Sequence, residues 1–244
     1  MNIRLQSACL GSGFGFFVLY LLGMVVVAGF IPPPQPSLTA DAITAFFDGR
    51  HFRILFGMSI AIIASPLYAV WGVAICGQML RIERSRFPTL SCIQVISAGL
   101  GSVFFMLSPT VWLTLAFRHG HASGTVQILN DFAWLSWIVS WPFFFVQAIA
   151  FGLCVLCYRS TVIPRWVGYF SIWFAVSMIP ASAVAFFYAG PLAWNGLFGI
   201  YVPLTFFAAW FIIATYFVLT AIKDESPGDS LGQPAHRGDL AARK

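Results

Sequence analysis

Histidines and carboxylates are the residues of this 244-residue chain with the most recognisable chemistry, and they lie in its polar stretches. The chain has four histidines, and His119 and His121 form an H-x-H pair. Together with His51 and Asp131 they make a candidate zinc or copper site, because imidazole is a good ligand for both metals. An H-x-H pair is common in loops, however. Solvated loop residues are therefore the preferred interpretation, and a metal site or a catalytic site are the alternatives.

The long apolar segments lack the residues that most membrane enzymes need. They contain no histidine, which argues against intramembrane hydroxylases, desaturases, haem proteins and rhomboid-type proteases. They also contain no Asp or Glu, which argues against aspartyl proteolysis and most proton-coupled carriers. The chain has neither a glycine-rich phosphate loop nor the basic, aromatic pattern of a nucleic-acid-binding surface. We predict no cofactor and no nucleic-acid partner, and we favour a protein without enzymatic activity over an enzyme.

Composition places the chain in a membrane. It is 59% hydrophobic and only 9% charged, whereas a soluble domain is about a quarter charged. Runs of about 18 or more apolar residues without charge are typical of transmembrane helices. Six such runs predict an all-α, polytopic bundle of six transmembrane helices in a domain that covers residues 1–222. They lie at about 10–31, 54–80, 90–117, 132–158, 166–189 and 197–222.

The distribution of Lys and Arg predicts how the chain is oriented. One set of connecting segments carries ten of these residues and the other set carries three. Because Lys and Arg are enriched on the cytoplasmic side, both termini are predicted to be cytoplasmic, in a bacterial inner membrane. Residues 223–244 have no periodic apolar pattern and are predicted to form a disordered cytoplasmic tail.

Prolines and aromatic residues predict a cavity in the outer half of the bundle. Five predicted spans contain a proline, and a proline inside a helix removes a hydrogen bond and kinks or loosens the helix. The prolines lie at similar depths, in the middle or outer half of the membrane, where tryptophans are also frequent. The alternative is that they are ordinary prolines of membrane helices, which are common. The five are Pro66, Pro109, Pro142, Pro180 and Pro203.

Residues 32–53 connect the first two spans and predict a short amphipathic helix. Thr39 is a suitable N-cap, and Ile43, Phe46 and Phe47 share one face. A helix of about two turns does not persist alone, so it must rest on a surface. It either floats at the membrane interface or forms a lid over the bundle. We favour the lid, with Phe46 and Phe47 pointing inward.

Two stretches, "IPRWVGYFSIW" at 163–173 and "GPLAWNGLFGIYVP" at 190–203, resemble an uncharacterised family of bacterial six-span membrane proteins. "IPPPQPS" at 31–37 also fits the first outer loop of that family. The resemblance runs from the first span to the sixth and implies architecture only, because the family has no established activity. The residues that carry it are Pro32, Pro33, Pro34, Arg165, Trp166, Gly190, Pro191, Trp194, Asn195 and Gly196.

The leading hypothesis is a protein that binds or passes a hydrophobic small molecule or lipid through a cavity facing the outer leaflet. A structural or accessory subunit of a larger membrane complex is the first alternative. A membrane enzyme that uses the outer-loop histidines is the second. Gln147 is either a ligand contact or, by default, a polar link between helices. The candidate ligand-binding residues are Phe46, Phe47, Trp112, Trp141, Gln147, Trp194 and Asn195.

Overall fold

A computed structural model describes residues 3–158 and 162–224, and these residues contain helices but no strand. Two π-helical segments, Leu22–Val27 and Leu197–Tyr201, and one 3-10 segment, Ile179–Phe186, interrupt the α-helices. The α-helices are α1 (Ile3–Leu21), α2 (Ala40–Asp48), α3 (His51–Glu83), α4 (Thr89–Phe117), α5 (Ser123–Val139), α6 (Trp141–Cys157), α7 (Arg165–Ser177) and α8 (Val202–Lys223).

Six helical stretches are long and apolar enough to cross a membrane. The short helix α2 lies between the first two and buries Ile43 and Phe47 on one face. The prediction of an all-α bundle with six spans and one short amphipathic helix is therefore confirmed, and the chain is a multi-pass membrane protein. The six are Ile3–Val27, His51–Glu83, Thr89–Phe117, Ser123–Cys157, Arg165–Phe186 and Leu197–Lys223.

The helices differ from the predicted spans at their ends. The first helical stretch runs from Ile3 to Val27, so it begins and ends earlier in the chain than the predicted span at about 10–31. The fourth span begins at Ser123 rather than near 132. Helices continue beyond the hydrocarbon with polar residues, which an apolar run does not reveal. The predicted tail at 223–244 lies outside the described residues beyond Asp224.

Consecutive spans alternate in direction, so the bundle has two ends. We call the end that carries α2 and the connections 28–39, 118–122 and 187–196 the α2 end. The opposite end carries the turn at 84–88 and the first residues of α1 and α7, and we call it the Glu83 end. α3 packs against α1 and α4, and α6 packs against α4 and α7.

Aromatic rings fill the centre of the bundle around Tyr68, which is fully buried. Helices approach closely where glycine faces a neighbour: a Cβ on Gly72 of α3 would overlap the Cβ of Ala98 on α4. These contacts give the dispersion energy that holds membrane helices together, since lipid tails are as apolar as the helix surfaces. The rings within about 6 Å of the Tyr68 ring belong to Phe16, Trp71, Phe105, Phe144, Phe207 and Phe211.

Three of the five prolines mark breaks in the spans. Pro142 lies in the first turn of α6, directly after the break at Ser140, and Pro180 lies in the first turn of the 3-10 segment. Pro203 lies in the first turn of α8, after the second π segment. The first turn of a helix tolerates proline because its N–H groups have no partner within the helix. Pro66 and Pro109 remain inside α3 and α4.

Candidate functional site

A partly enclosed cavity of about 100 Å³ lies between the first, third, fourth, fifth and sixth spans. Its wall is almost entirely apolar. Binding sites for small molecules are typically concave and mostly apolar, so this cavity is the candidate functional site. Aromatic side chains form much of the wall: Phe16, Phe17, Tyr20, Phe105, Trp137, Trp141, Phe144 and Phe207.

The cavity lies where the surrounding spans leave α-helical geometry. Met24 and Val25 line it from the first π segment, Ala181 from the 3-10 segment, and Gly199 and Ile200 from the second π segment. Irregular turns inside helices move side chains out of the regular register and are frequent at functional sites.

Two of the prolines give a physical reason for irregular backbone next to the cavity: Pro203 follows the second π segment, and Pro142 follows the break at Ser140. Pro203 has no N–H to donate to the carbonyl of Gly199, one turn earlier, and Pro142 has none for the carbonyl of Ile138. Gly199 and Ile138 both line the cavity. The interrupted backbone ladders therefore border the cavity directly. Of the five prolines Pro203 lines the cavity, where it lies among aromatic side chains such as Trp137 and Trp141.

Tyr20 and Trp137, which both line the cavity, are joined by a side-chain hydrogen bond. The Trp137 Nε1–H donates to the Tyr20 hydroxyl at 3.0 Å, and that hydroxyl donates to the carbonyl of Phe105 at 3.2 Å. The two side chains thus present their carbon surfaces to the cavity. An occupant would meet apolar contacts there and no free hydrogen-bonding group from either residue.

A tryptophan cluster, formed by Trp112, Trp134 and Trp194 together with Phe30, separates the cavity from α2. The ring centroids of Trp112 and Trp134 are 4.8 Å apart, and Trp134 stacks on Trp194 at 6.4 Å. The ring of Phe30 is fully buried and lies 4.8 Å from the ring of Trp112. Phe30 is the member of the cluster that α2 contacts.

Helix α2 begins as predicted: the Thr39 Oγ1 accepts a hydrogen bond from the N–H of Ala42. Phe47 is buried and Phe46 is half-buried, and their rings lie 6.1 and 5.5 Å from that of Phe30. The helix packs mainly on α5. It therefore rests on the bundle and covers the tryptophan cluster, and the cluster in turn lies over the cavity.

Side chains donate hydrogen bonds to backbone carbonyls of the segments that flank α2. The Trp194 Nε1–H donates to the carbonyl of Pro34 at 2.7 Å, and the Gln127 amide donates to the carbonyl of Leu38 at 3.3 Å. Arg53 donates to the carbonyls of Val26 and Val27, at the end of the first π segment. Arg50 donates to the carbonyl of Gly29 at 3.1 Å. These arginines supply donors to carbonyls that have left the helix ladder.

One of the seven predicted ligand-binding residues, Trp141, lines the cavity. Trp112 and Trp194 belong to the tryptophan cluster, with Phe46 and Phe47 above it. Gln147 lies in the core, where its Oε1 accepts a hydrogen bond from Tyr68 at 2.7 Å, which fits a polar link between helices. The buried Oδ1 of Asn195 makes no hydrogen bond, so it does not close a turn through its own backbone.

The candidate metal ligands are only partly brought together. The rings of His51 and His119 stack with centroids 4.0 Å apart, and the His119 Nδ1 lies 3.3 Å from the Asp48 Oδ1. His121 has a buried Nε2 without a hydrogen-bond partner, and Asp131 lies on α5. Within residues 3–158 and 162–224 no three His, Cys, Asp or Glu side chains are grouped to hold a metal.

Sequence reasoning missed Glu83, a buried carboxylate at the opposite end. Its Oε1 accepts from the N–H of Leu90 at 3.0 Å, and its Oε2 accepts from the N–H and the hydroxyl of Ser91 at 3.0 and 2.8 Å. It therefore caps the N-terminus of α4, where unpaired N–H groups and the helix dipole favour an anion. An acidic residue six positions before the first residue of a helix was the available signal.

Comparisons of the chain with protein-family models, with curated proteins and with solved structures found no match. The resemblance of 31–37, 163–173 and 190–203 to a six-span family therefore stays a prediction.

Proposed function

We propose that this protein binds a hydrophobic small molecule or one chain of a lipid in the cavity. The observation that carries the proposal is an almost entirely apolar cavity, about 100 Å³ in volume, at the level where four spans lose regular helical geometry. Under the predicted orientation, with both termini cytoplasmic in a bacterial inner membrane, the cavity lies in the half of the membrane that faces away from the cytoplasm.

Filling the cavity is favourable because its wall otherwise lacks packing partners. An empty apolar cavity costs about 24 cal/mol per Å³, and for the volume found here that corresponds to about 2 kcal/mol. An apolar occupant regains much of this energy through dispersion contacts. A molecule that enters from the bilayer exchanges contacts with lipid for contacts with the cavity wall, and both surroundings are apolar. The fit of its shape to the cavity therefore decides its affinity more than its hydrophobicity does.

The membrane is the natural source of the occupant. Leu21 and Val25 of the first span and Pro203 and Leu204 of the last are half-buried and line the cavity. We infer that the cavity opens sideways, toward lipid, between these two spans. The first π segment packs on α3, and the second packs on α8 and the 3-10 segment. This separation of the two π segments supports lateral entry between them.

The test is to identify molecules that co-purify with the protein from native membranes, by mass spectrometry under mild conditions. We expect an apolar molecule or lipid that stays bound to the wild-type chain and is lost from the Ala181→Phe variant. Ala181 is buried and lines the cavity. Ala185→Phe is the matched control, because Ala185 is exposed on the same 3-10 segment. Equal occupancy in both variants, or none in the wild type, would contradict the proposal.

The two other hypotheses have less support. The hypothesis of a membrane enzyme is supported by the contacts among His51, His119 and Asp48. The side chains of His119 and Asp48, however, are 62% and 56% exposed. Such a site does not exclude water. Among the described residues no particular surface stands out as a contact for other subunits, so nothing favours the hypothesis of an accessory subunit. Membership of the six-span family is likewise a proposal, supported by the motif residues alone.

A further inference from the structure

Five of the aromatic rings that line the cavity form a continuous array of ring contacts. The ring centroid of Phe16 lies 5.3 Å from that of Tyr20 and 4.9 Å from that of Phe105. The rings of Tyr20 and Phe105 are 5.1 Å apart. Phe144 lies 5.1 Å from Phe105, and Phe207 lies 5.5 Å from Phe144. Because each ring is held by its neighbours at a favourable distance, this part of the wall is formed before any occupant arrives.

Rings of this array keep surface that an occupant can contact. Phe105, Phe144 and Phe207 line the cavity and remain 7%, 6% and 9% exposed. Phe151 and Phe174 are also in the core but do not line the cavity, and both are fully buried. A molecule in the cavity therefore meets the surfaces of rings whose other contacts are already made.

Two methionines add sulfur to the wall. Met24 lies in the first π segment, Met178 lies directly before the 3-10 segment, and both line the cavity. A thioether sulfur makes favourable contacts with an aromatic ring. None of the described residues that line the cavity is charged. The wall thus offers ring and sulfur contacts to an occupant and no partner for a charge.

The size of the cavity limits what enters it. Its volume is about 100 Å³, and an apolar cavity of about 150 Å³ is sufficient to bind benzene. The cavity therefore holds about one ring-sized group. The rest of a larger molecule would remain in the opening between the first and sixth spans, in contact with lipid.

We propose that the cavity binds an uncharged aromatic ring of a membrane-soluble molecule in preference to a saturated group of the same size. This inference rests on the proposed function and specifies its ligand class. Aromatic rings in offset or edge-to-face contact attract each other beyond what their buried area gives. Lipid chains have no rings, so an aromatic molecule gains this attraction on entering the cavity, whereas a saturated molecule exchanges one set of aliphatic contacts for contacts of similar strength.

The experiment measures binding of three radiolabelled hydrocarbons to the full chain in phosphatidylcholine nanodiscs. The probes are toluene, methylcyclohexane and n-heptane, which have equal numbers of carbon atoms and are an aromatic ring, a saturated ring and a chain. Empty nanodiscs of the same lipid, loaded in parallel, correct for uptake by the bilayer. We expect the wild-type protein to bind toluene about tenfold more tightly than either saturated probe, as two ring contacts would give.

Variants test whether the wall is the source of this preference. Phe144→Leu removes one ring and keeps an apolar side chain, so it should weaken toluene binding about threefold and leave methylcyclohexane unchanged. Met24→Leu combined with Met178→Leu conserves volume and removes both sulfurs, with an expected loss of about threefold for toluene alone. Phe151→Leu is the matched control, because it removes a buried ring that does not line the cavity. It should preserve the tenfold preference.

The outcomes distinguish this inference from the proposed function. Equal binding of toluene and methylcyclohexane by the wild-type protein overturns the preference for an aromatic ring while the apolar cavity stands. Tighter binding of n-heptane than of toluene overturns it in favour of a hydrocarbon chain. A preference that is undiminished in both the Phe144 variant and the double Met variant overturns the role of this wall. Binding of none of the three probes overturns the proposed function itself.

Discussion

The half of the bundle toward the Glu83 end and the half toward the α2 end are built differently. Toward the Glu83 end the described spans are regular α-helices, and α3 and α4 touch where Gly72 meets Ala98. Glu83 closes the turn between these helices with three hydrogen bonds. Toward the α2 end two spans become π-helical and one becomes 3-10 helical, and a cavity of about 100 Å³ remains between them.

This difference suggests that the two halves have separate roles. Close helix contacts supply most of the stability of a membrane bundle. Both halves have them, at Gly72 against Ala98 and at Gly23 against Gly57, and the half with α2 combines them with the cavity. Sites that bind ligands are drawn from less densely packed regions, since a packed core has no space and rearranges at high cost. The half with α2 is therefore suited to bind a ligand, and the half with Glu83 is suited to support it.

Replacing Glu83 by alanine should have the largest effect on stability. The change leaves the N–H groups of Leu90 and Ser91 without their acceptor, and we expect a loss of about 3 kcal/mol. Unfolding in mixed detergent and SDS micelles measures it. Glu83→Gln retains one acceptor oxygen and should lose about half as much. A loss below about 0.5 kcal/mol in Glu83→Ala, the usual range for surface changes, would break the contrast between the two ends.

Adding a methyl group where α3 meets α4 should have the next largest effect. In Gly72→Ala the new Cβ overlaps that of Ala98, so the helices must separate, and we expect a loss of about 2 kcal/mol. Gly99→Ala is the control on α4, because nothing lies within 4 Å of its new Cβ. The same unfolding assay compares the two. Equal stability of the two variants would show that this contact does not hold the bundle.

Removing the N-cap of α2 should have a smaller and local effect. Thr39→Ala loses the hydrogen bond to the N–H of Ala42 and should destabilise α2 by about 1 kcal/mol. Hydrogen exchange followed by mass spectrometry should show faster exchange in residues 40–48 and unchanged exchange in α3 and α4. Thr44→Ser, which keeps a hydroxyl at a neighbouring position, is the control. Faster exchange throughout the bundle would mean that the two halves unfold together.

Most of the architecture could be predicted because it follows from local properties. Apolar runs without charge report the energy of placing each helix in a membrane, and that energy is additive along the chain. The amphipathic face of 40–48 and the cap at Thr39 are also local, and both are confirmed. The ends of the spans were less predictable, since the helix at Ile3 and the one at Ser123 extend through polar residues.

The sequence by itself determined that the chain is a helical membrane bundle, and it indicated the depth at which prolines and aromatic residues gather. The tertiary structure decided which of those residues surround a cavity. Trp141 was on the predicted list, whereas Tyr20 and Trp137 line the cavity and were not. The structure also brought Trp112 of α4 against Trp134 of α5 and buried both indole N–H groups. The physical reason is that burial and pairing depend on how helices pack across the bundle, and spacing along one helix does not encode that.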